Sequence, residues 1–380
     1  MPTLRELLAS RLRDALIACD LDSARADVSQ AADARFGDYQ ANAAMVLAKE
    51  KKANPRQLAT GILSKLDVTG LTTTPEIAGA GFINFRLENS FLSGALSGLA
   101  SDPRLGVHAA ENPKKILVDF SSPNVAKPMH VGHIRSTILG DCLVRVARFL
   151  GHDVTADNHI GDWGTQFGKV IYGWKHFLNL ADLKKDAIAE LVRLYREVTR
   201  LEETDESIKR TAREELVKLQ AGDAENLAIW KQTVELSWRE FEKLYDLLDI
   251  RFDERLGESA YNAALAPLCA ELEMSGIASA SEGALCIFFP DTPALEGKPA
   301  IIRKSDGGFL YATTDLATIE YRIKHWNPDA IWYVVGVPQA LHFQQIFAAA
   351  KMMGIECELK HIAFGSILGE DRKIMKTRSG

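Results

Sequence analysis

"VDFSSPNVAKPMHVGHIRSTILGD", residues 118–141, closes a short apolar run, crosses a polar loop and opens a helix-like pattern. The run begins as "KKILVDF" (114–120), the kind of strand buried on both faces of a parallel sheet. Beyond the loop, "VGHIRSTILGDCLVRVARFLGH" (131–152) carries apolar residues at helical spacing and ends at Gly151. "DVTADNHIGDWG" (153–164) then reads as the next strand and its turn. Strand, loop, helix and strand make a βαβ unit, the seed of an α/β, Rossmann-like doubly wound parallel sheet.

The loop sets His130 and His133 three apart with Gly132 between them. Metalloprotease helices space two histidines four apart around a glutamate, so this pattern does not predict a protein-bound metal. A pair of internally satisfied histidines at a loop-to-helix junction remains an alternative. A third reading follows from geometry. Pro128 fixes φ ahead of the turn, and Gly132 lets backbone approach a ligand. The helix start aims free N–H groups and its positive dipole end at the carboxyl edge of the sheet, where open α/β sheets bind ligands. Lys127 adds a mobile cation, or is simply a solvated loop lysine. Such a loop suits a polyphosphate, with the imidazoles donating hydrogen bonds.

Outward from this unit, the α/β pattern resumes late in the chain. "AIWYVVGV" (330–337) reads as a strand, "QALHFQQIFAAAKMMG" (339–354) as a helix and "CELKHIAFGSIL" (357–368) as another strand. Between about 175 and 250 the sequence is charged and helical, expected to be an inserted helical hairpin with solvated faces. Residues 1–108 form a separate small α+β unit: two or three helical patterns, then "AGAGFINFRL" (78–87), which alternates like a strand. "ASDPRLGVHAAENPKK" (100–115) serves as the linker, and the sheet-bearing domain occupies 114–380.

Length and composition fit this division. The chain has 380 residues, 47% hydrophobic and 25% charged, enough for two or three domains. A net charge of -6 argues against wholesale coating of nucleic acid while leaving room for a local basic track. The five cysteines are scattered without a C-x-x-C pair, which predicts a reducing, cytoplasmic setting rather than a disulfide framework. No apolar run approaches a membrane span, and the N-terminus reads as an amphipathic helix rather than a signal peptide.

"PMHVGH" resembles the HIGH signature of class I aminoacyl-tRNA synthetases. The longer "DFSSPNVAKPMHVGHIRS", with "DNHIGDWGTQFG" (157–168) downstream, resembles the arginyl-tRNA synthetase family in particular. The resemblance implies ATP-dependent activation of L-arginine and its transfer to tRNA(Arg). Mg²⁺ enters with ATP as a substrate complex, and a monomer is expected. It implies that His130, His133 and Lys127 act on the triphosphate, with Gly132 in the same cradle. The family's second signature corresponds to "IMKTRSG" (374–380), where the two lysine positions hold Ile374 and Thr377. Lys376 and Arg378 are the neighbouring cations assigned to ATP, and Lys127 occupies the position that compensates for a degenerate second signature.

A guanidinium demands planar, charged acceptors. Asp119, at the end of the first strand, is costly if unpaired in the core, so the crevice is favoured. Tyr311 and Asp315 in "FLYATTDLA" (309–317) share a face if one helix holds both. By resemblance these three form the arginine pocket, with Asn124 and Gln339 holding the amino-acid end. Residue by residue, plainer readings stay open: a core tyrosine, a first-turn aspartate, a turn asparagine, an exposed helix-start glutamine. His342 is assigned to the adenosine side, or to core or surface. In the N-terminal unit, Phe82 and Asn84 fall on one side of a strand, suited to an extruded base; by resemblance that base lies in the tRNA D-loop. A packed edge strand is the alternative. The family continues into an anticodon-binding domain that the sequence is expected to lack. A small-molecule adenylyltransferase with the same H-x-G-H loop, or a tRNA-binding relative with impaired chemistry, are the competing functions.

Overall fold

Thr3 and Glu6 cap one another at the start of the first helix: Glu6 N–H donates to Thr3 Oγ1 at 3.2 Å, and Thr3 N–H to Glu6 Oε2 at 2.8 Å. The computed structural model describes residues 3–366, and the chain divides into two units between Ala109 and Ala110.

The first unit runs α1 (Leu4–Ala18), β1 (Val28–Gln30), β2 (Tyr39–Ala41), α2 (Ala43–Lys51), α3 (Pro55–Leu63), β3 (Glu76–Ala78), β4 (Phe82–Phe85) and α4 (Asn89–Ser101). Its antiparallel sheet has the order β1-β2-β4-β3, so "FINF" is an interior strand with partners on both sides. Leu8, Leu12, Ile62, Ile83 and Phe85 are fully buried in one core. The sequence shows only one of these strands. The other three have three residues each, too few for an alternating pattern.

The second unit opens on β5 (Lys115–Asp119), α5 (Val131–Phe149) and β6 (Asp153–Asp157). Five helices follow: α6 (Gln166–Phe177), α7 (Leu180–Lys185), α8 (Ala187–Glu202), α9 (Glu206–Gln220) and α10 (Ala224–Leu247). Next come α11 (Asn262–Met274) and a small antiparallel sheet, β7 (Ala278–Ser281), β8 (Ala284–Ile287) and β9 (Ala300–Arg303). α12 (Tyr311–Trp326), β10 (Ala330–Gly336), α13 (Ala340–Met352) and β11 (Glu358–Phe364) complete it.

The main sheet is parallel throughout, in the order β11-β10-β5-β6. From β5 the chain steps to β6, and from β10 it steps the other way to β11. The strand order therefore reverses between β5 and β10, and a crevice opens at their carboxyl ends. α5 lies close to the end of β5. A Cβ on Gly140 would sit 2.2 Å from the Phe120 ring, so only glycine permits this approach.

The inserted region is a bundle of five helices from Gln166, not a hairpin. Phe167, Ile171, Leu191, Leu219 and Phe241 form its core. Charge in this stretch reads as solvated surface, yet part of it lies inside. Lys175 bridges Glu215 at 2.7 Å, and the Glu215 side chain is only 7% exposed. Burial alone would raise that carboxyl, but Lys175, Lys218 and Asn226 hydrogen-bond it and bring it down to about 2. Among the described residues no helix is long and apolar enough to cross a membrane.

Candidate active site

The crevice is a cleft of about 850 Å³. It brings together Asp119, Asn124, His130, Gly132, His133, Tyr311, Asp315, Gln339 and His342 from four separate stretches of chain. Lys127 does not line it. The lysine is exposed on an adjoining groove with Met129, Arg196 and Phe241.

His130 is the N-cap of α5, its Nδ1 accepting the Gly132 N–H at 3.1 Å. The His130 N–H in turn donates to His133 Nδ1 at 3.2 Å, and the rings lie 3.9 Å apart. With both Nδ1 atoms accepting, each neutral ring carries its proton on Nε2. Burial lowers the His130 pKa, and burial with the charges of His130 and Lys127 takes His133 to about 4. At neutral pH the pair thus offers two uncharged Nε2–H donors beside the positive end of a 19-residue helix.

Hydrogen bonds fix the loop before this pair. Ser121 and Ser122 both have positive φ, at 73° and 45°. Ser136 Oγ accepts the Ser121 N–H at 3.0 Å, and Asn158 Oδ1 accepts the Ser122 N–H at 3.1 Å. Such strained backbone persists only where surroundings over-determine it. Asn124 sits beyond, on a bridge to Gly161.

The far wall is acidic. α12 includes both Tyr311 and Asp315, so they share one face; Tyr311 is 71% exposed, which removes the core reading. Asp315 pairs with His342 Nε2 at 2.5 Å across the starts of α12 and α13. His342 thus lines the cleft with its Nε2 against a carboxylate. Gln339 is the exposed N-cap position of α13.

Glu258, which sequence patterns do not single out, also lines the cleft. Burial, with the negative charges of Asp315 and Asp162, pushes its carboxyl up to about 8. The one-turn helix Glu258–Tyr261 that carries it is held by Asp162, which accepts the Ser259 N–H at 2.8 Å and its hydroxyl at 2.7 Å. Gly257 is required there: a Cβ would lie 2.3 Å from the Asp162 carboxyl carbon. Two carboxyl groups, Glu258 and Asp315, therefore face a cleft that supplies them no lysine or arginine partner among the described residues. Such a wall fits a cationic ligand.

Asp119 lines the cleft and already has a cationic partner. The sequence reading sets it beside a ligand's guanidinium. In the structure it is 5% exposed and an internal guanidinium holds it, Arg322 Nη2 at 2.7 Å, while Ser122 Oγ donates to its other oxygen at 2.9 Å. Burial of the aspartate selected a partner from α12 instead. In the first unit Phe82 is half-buried, whereas Asn84 is 7% exposed with Oδ1 lacking a hydrogen-bond partner. Lys376 and Arg378 lie outside the described residues.

Comparison with known proteins adds the family. Residues 96–380 match the family described as "tRNA synthetases class I (R), catalytic domain", and residues 3–87 match "Arginyl tRNA synthetase N terminal domain". The arginine–tRNA ligase of Nostoc punctiforme is 46% identical across the whole of this chain, which covers 67% of that relative. The chain belongs to the arginyl-tRNA synthetase family. The arginine–tRNA ligase of Synechococcus sp. is 48% identical over 91% of the chain and 61% of the relative. Among solved structures, the arginyl-tRNA synthetase of Plasmodium falciparum superposes with a TM-score of 0.70 at 30% identity, covering 97% of this chain and 66% of that one. The Thermus thermophilus arginyl-tRNA synthetase, at 22% identity and a TM-score of 0.69, shares the fold over 98% of this chain and 67% of that one. The chain thus spans about two thirds of the length of these synthetases.

Proposed function

We propose that the chain binds L-arginine and ATP in the β5/β10 cleft and joins them as arginyl-adenylate for transfer to tRNA(Arg), as a cytoplasmic monomer. The observation that carries this reading is one cleft with neutral imidazole donors at one end and, at the other, the acids Glu258 and Asp315 with no lysine or arginine partner among the described residues.

The arginine carboxylate attacks the α-phosphate of ATP; a new C–O–P linkage forms, the α–β P–O bond breaks, and pyrophosphate leaves with Mg²⁺. The nucleophile is already an anion at neutral pH, so no general base is needed. The protein's work is to hold the reactants in line and offset charge on the phosphate oxygens. His130 and His133 donate to the triphosphate through Nε2–H, with the side-chain-free backbone of Gly132 and the α5 dipole beside them. Lys127 reaches the phosphates by swinging from its groove, and Lys376 and Arg378 are assigned to the same charge. Asn124 and Gln339 hold the amino-acid end, and Asp119, already neutralised, supports that end through Ser122. Asp315 and Glu258 take the guanidinium, with exposed Tyr311 closing over it. His342, beside Asp315 at the start of α13, takes the adenosine side of the cleft. In the first unit the Phe82 ring offers a stacking surface to a tRNA base, with Asn84 beneath it.

The test is calorimetric. Arginine is expected to bind the 380-residue chain, while citrulline, of the same shape without the charge, is expected to fail. Arginine-dependent pyrophosphate exchange with added tRNA extends the test to chemistry. Equal binding of arginine and citrulline, or none of either, contradicts the proposal.

A further inference from the structure

Arg322 is 0% exposed, and a single nitrogen, Nη2, lies 2.7 Å from both Asp119 Oδ2 and Asp157 Oδ2. These two aspartates end the neighbouring strands β5 and β6 in register. The rest of the guanidinium is under-used: Nε and Nη1 find no hydrogen-bond partner, and neither do Asp157 Oδ1, Tyr261 Oη or Tyr333 Oη. The guanidinium stands 5.5 Å from the centre of the Tyr333 ring. Tyr261 belongs to the turn that presents Glu258. A salt bridge this deep is weak evidence for stability, because desolvation offsets most of the attraction. The many unmatched polar atoms reinforce that argument, so its retention asks for another reason.

Position supplies one. Tyr311, Asp315 and Arg322 are spaced four and seven apart on α12, which puts all three on one helix face. The stripe runs from the cleft mouth to the ends of β5 and β6. We propose that Arg322 is a positioning residue: an internal counter-ion that fills the guanidinium-type site between Asp119 and Asp157 and locks α12 so that Asp315 faces the substrate's cation. With Asp119 and Asp157 neutralised from within, Glu258 and Asp315 are left as the receptor, and an incoming arginine is steered away from the sheet end. Asp119 meanwhile passes the constraint to Ser122 and the strained loop. The inference rests on the reading that this cleft takes arginine.

The experiment is calorimetry of arginine and of a non-hydrolysable ATP analogue, separately, on the whole chain and on Arg322→Lys, which keeps the charge and loses the planar fork. Arginine affinity is expected to fall at least about tenfold, with ATP-analogue affinity within about twofold, since the phosphate cradle is built on α5. If the lysine variant does not fold, the neutral set Asp119→Asn, Asp157→Asn and Arg322→Gln leaves no stranded charge and is read by the same two affinities, with the same expectation. Unchanged arginine affinity, or equal loss of both ligands, overturns the inference and leaves Arg322 a purely structural residue. Failure of the unaltered chain to bind arginine instead overturns the reading of the cleft.

Discussion

Replacing Glu258 with glutamine tests the acidic wall where its electrostatics are most unusual. With its carboxyl raised to about 8, roughly one Glu258 in ten is ionised at pH 7 in the free protein. A bound guanidinium favours the carboxylate, so arginine must displace about 0.9 proton at pH 7. Affinity is then proportional to the ionised fraction. It rises about tenfold from pH 6 to 7, about fivefold from 7 to 8, and levels off above 9. The Glu258→Gln variant should lose this slope. Above pH 8 it should bind more weakly by about 1.5–3 kcal/mol, the scale of a hydrogen bond to a charged group, with the gap narrowing towards pH 6. The free protein carries the mirror image. The folded state holds a proton that the unfolded chain releases near its ordinary carboxylate value. Stability contributed by Glu258 is therefore lost as pH rises from about 4.5 to 8, by up to about 1.4 kcal/mol per unit. Calorimetry in buffers of different ionisation enthalpy reads the proton directly. Arginine affinity flat from pH 6 to 8, with no proton released, refutes the reasoning.

Asp315→Asn should weaken arginine binding by about 1.5–3 kcal/mol and leave ATP-analogue binding unchanged, checked by calorimetry; unchanged arginine affinity removes Asp315 from the receptor. His130→Ala deletes the α5 N-cap, so thermal unfolding should show a loss of about 0.5–2 kcal/mol alongside weaker ATP-analogue binding. Gly257→Ala forces a methyl group against the Asp162 carboxyl. Overpacking of this kind costs about 1–3 kcal/mol, and by displacing Glu258 it should flatten the pH dependence of arginine binding as the glutamine variant does.

The β5-α5-β6 unit is legible because β5 carries an unbroken apolar run, α5 begins at a proline- and glycine-framed loop, and Gly151 separates α5 from β6. Tyr311 and Asp315 are legible because helical spacing alone puts them together. Glu258 is not: it lies in a turn without periodicity, and its raised pKa comes from burial in the fold, with the charges of Asp315 and Asp162, distant in sequence. Arg322 reads as one more cation on an amphipathic helix, and only the fold reveals that its face of α12 is buried between two aspartates. The same limit explains Asp119, whose need for a cation is readable while the identity of that cation is not. The bundle of α6 to α10 resembles a hairpin in sequence because its interior charges, such as Glu215 and Lys175, are indistinguishable there from solvated ones.

The most direct measurement is a crystal structure of the chain with L-arginine and a non-hydrolysable ATP analogue. The guanidinium should lie within hydrogen-bonding distance of Glu258 and Asp315, with the triphosphate against His130 and His133 and Arg322 still bridging Asp119 and Asp157. An arginine reversed in the cleft, with its guanidinium at Asp119, or a triphosphate bound away from the histidine pair, contradicts the account.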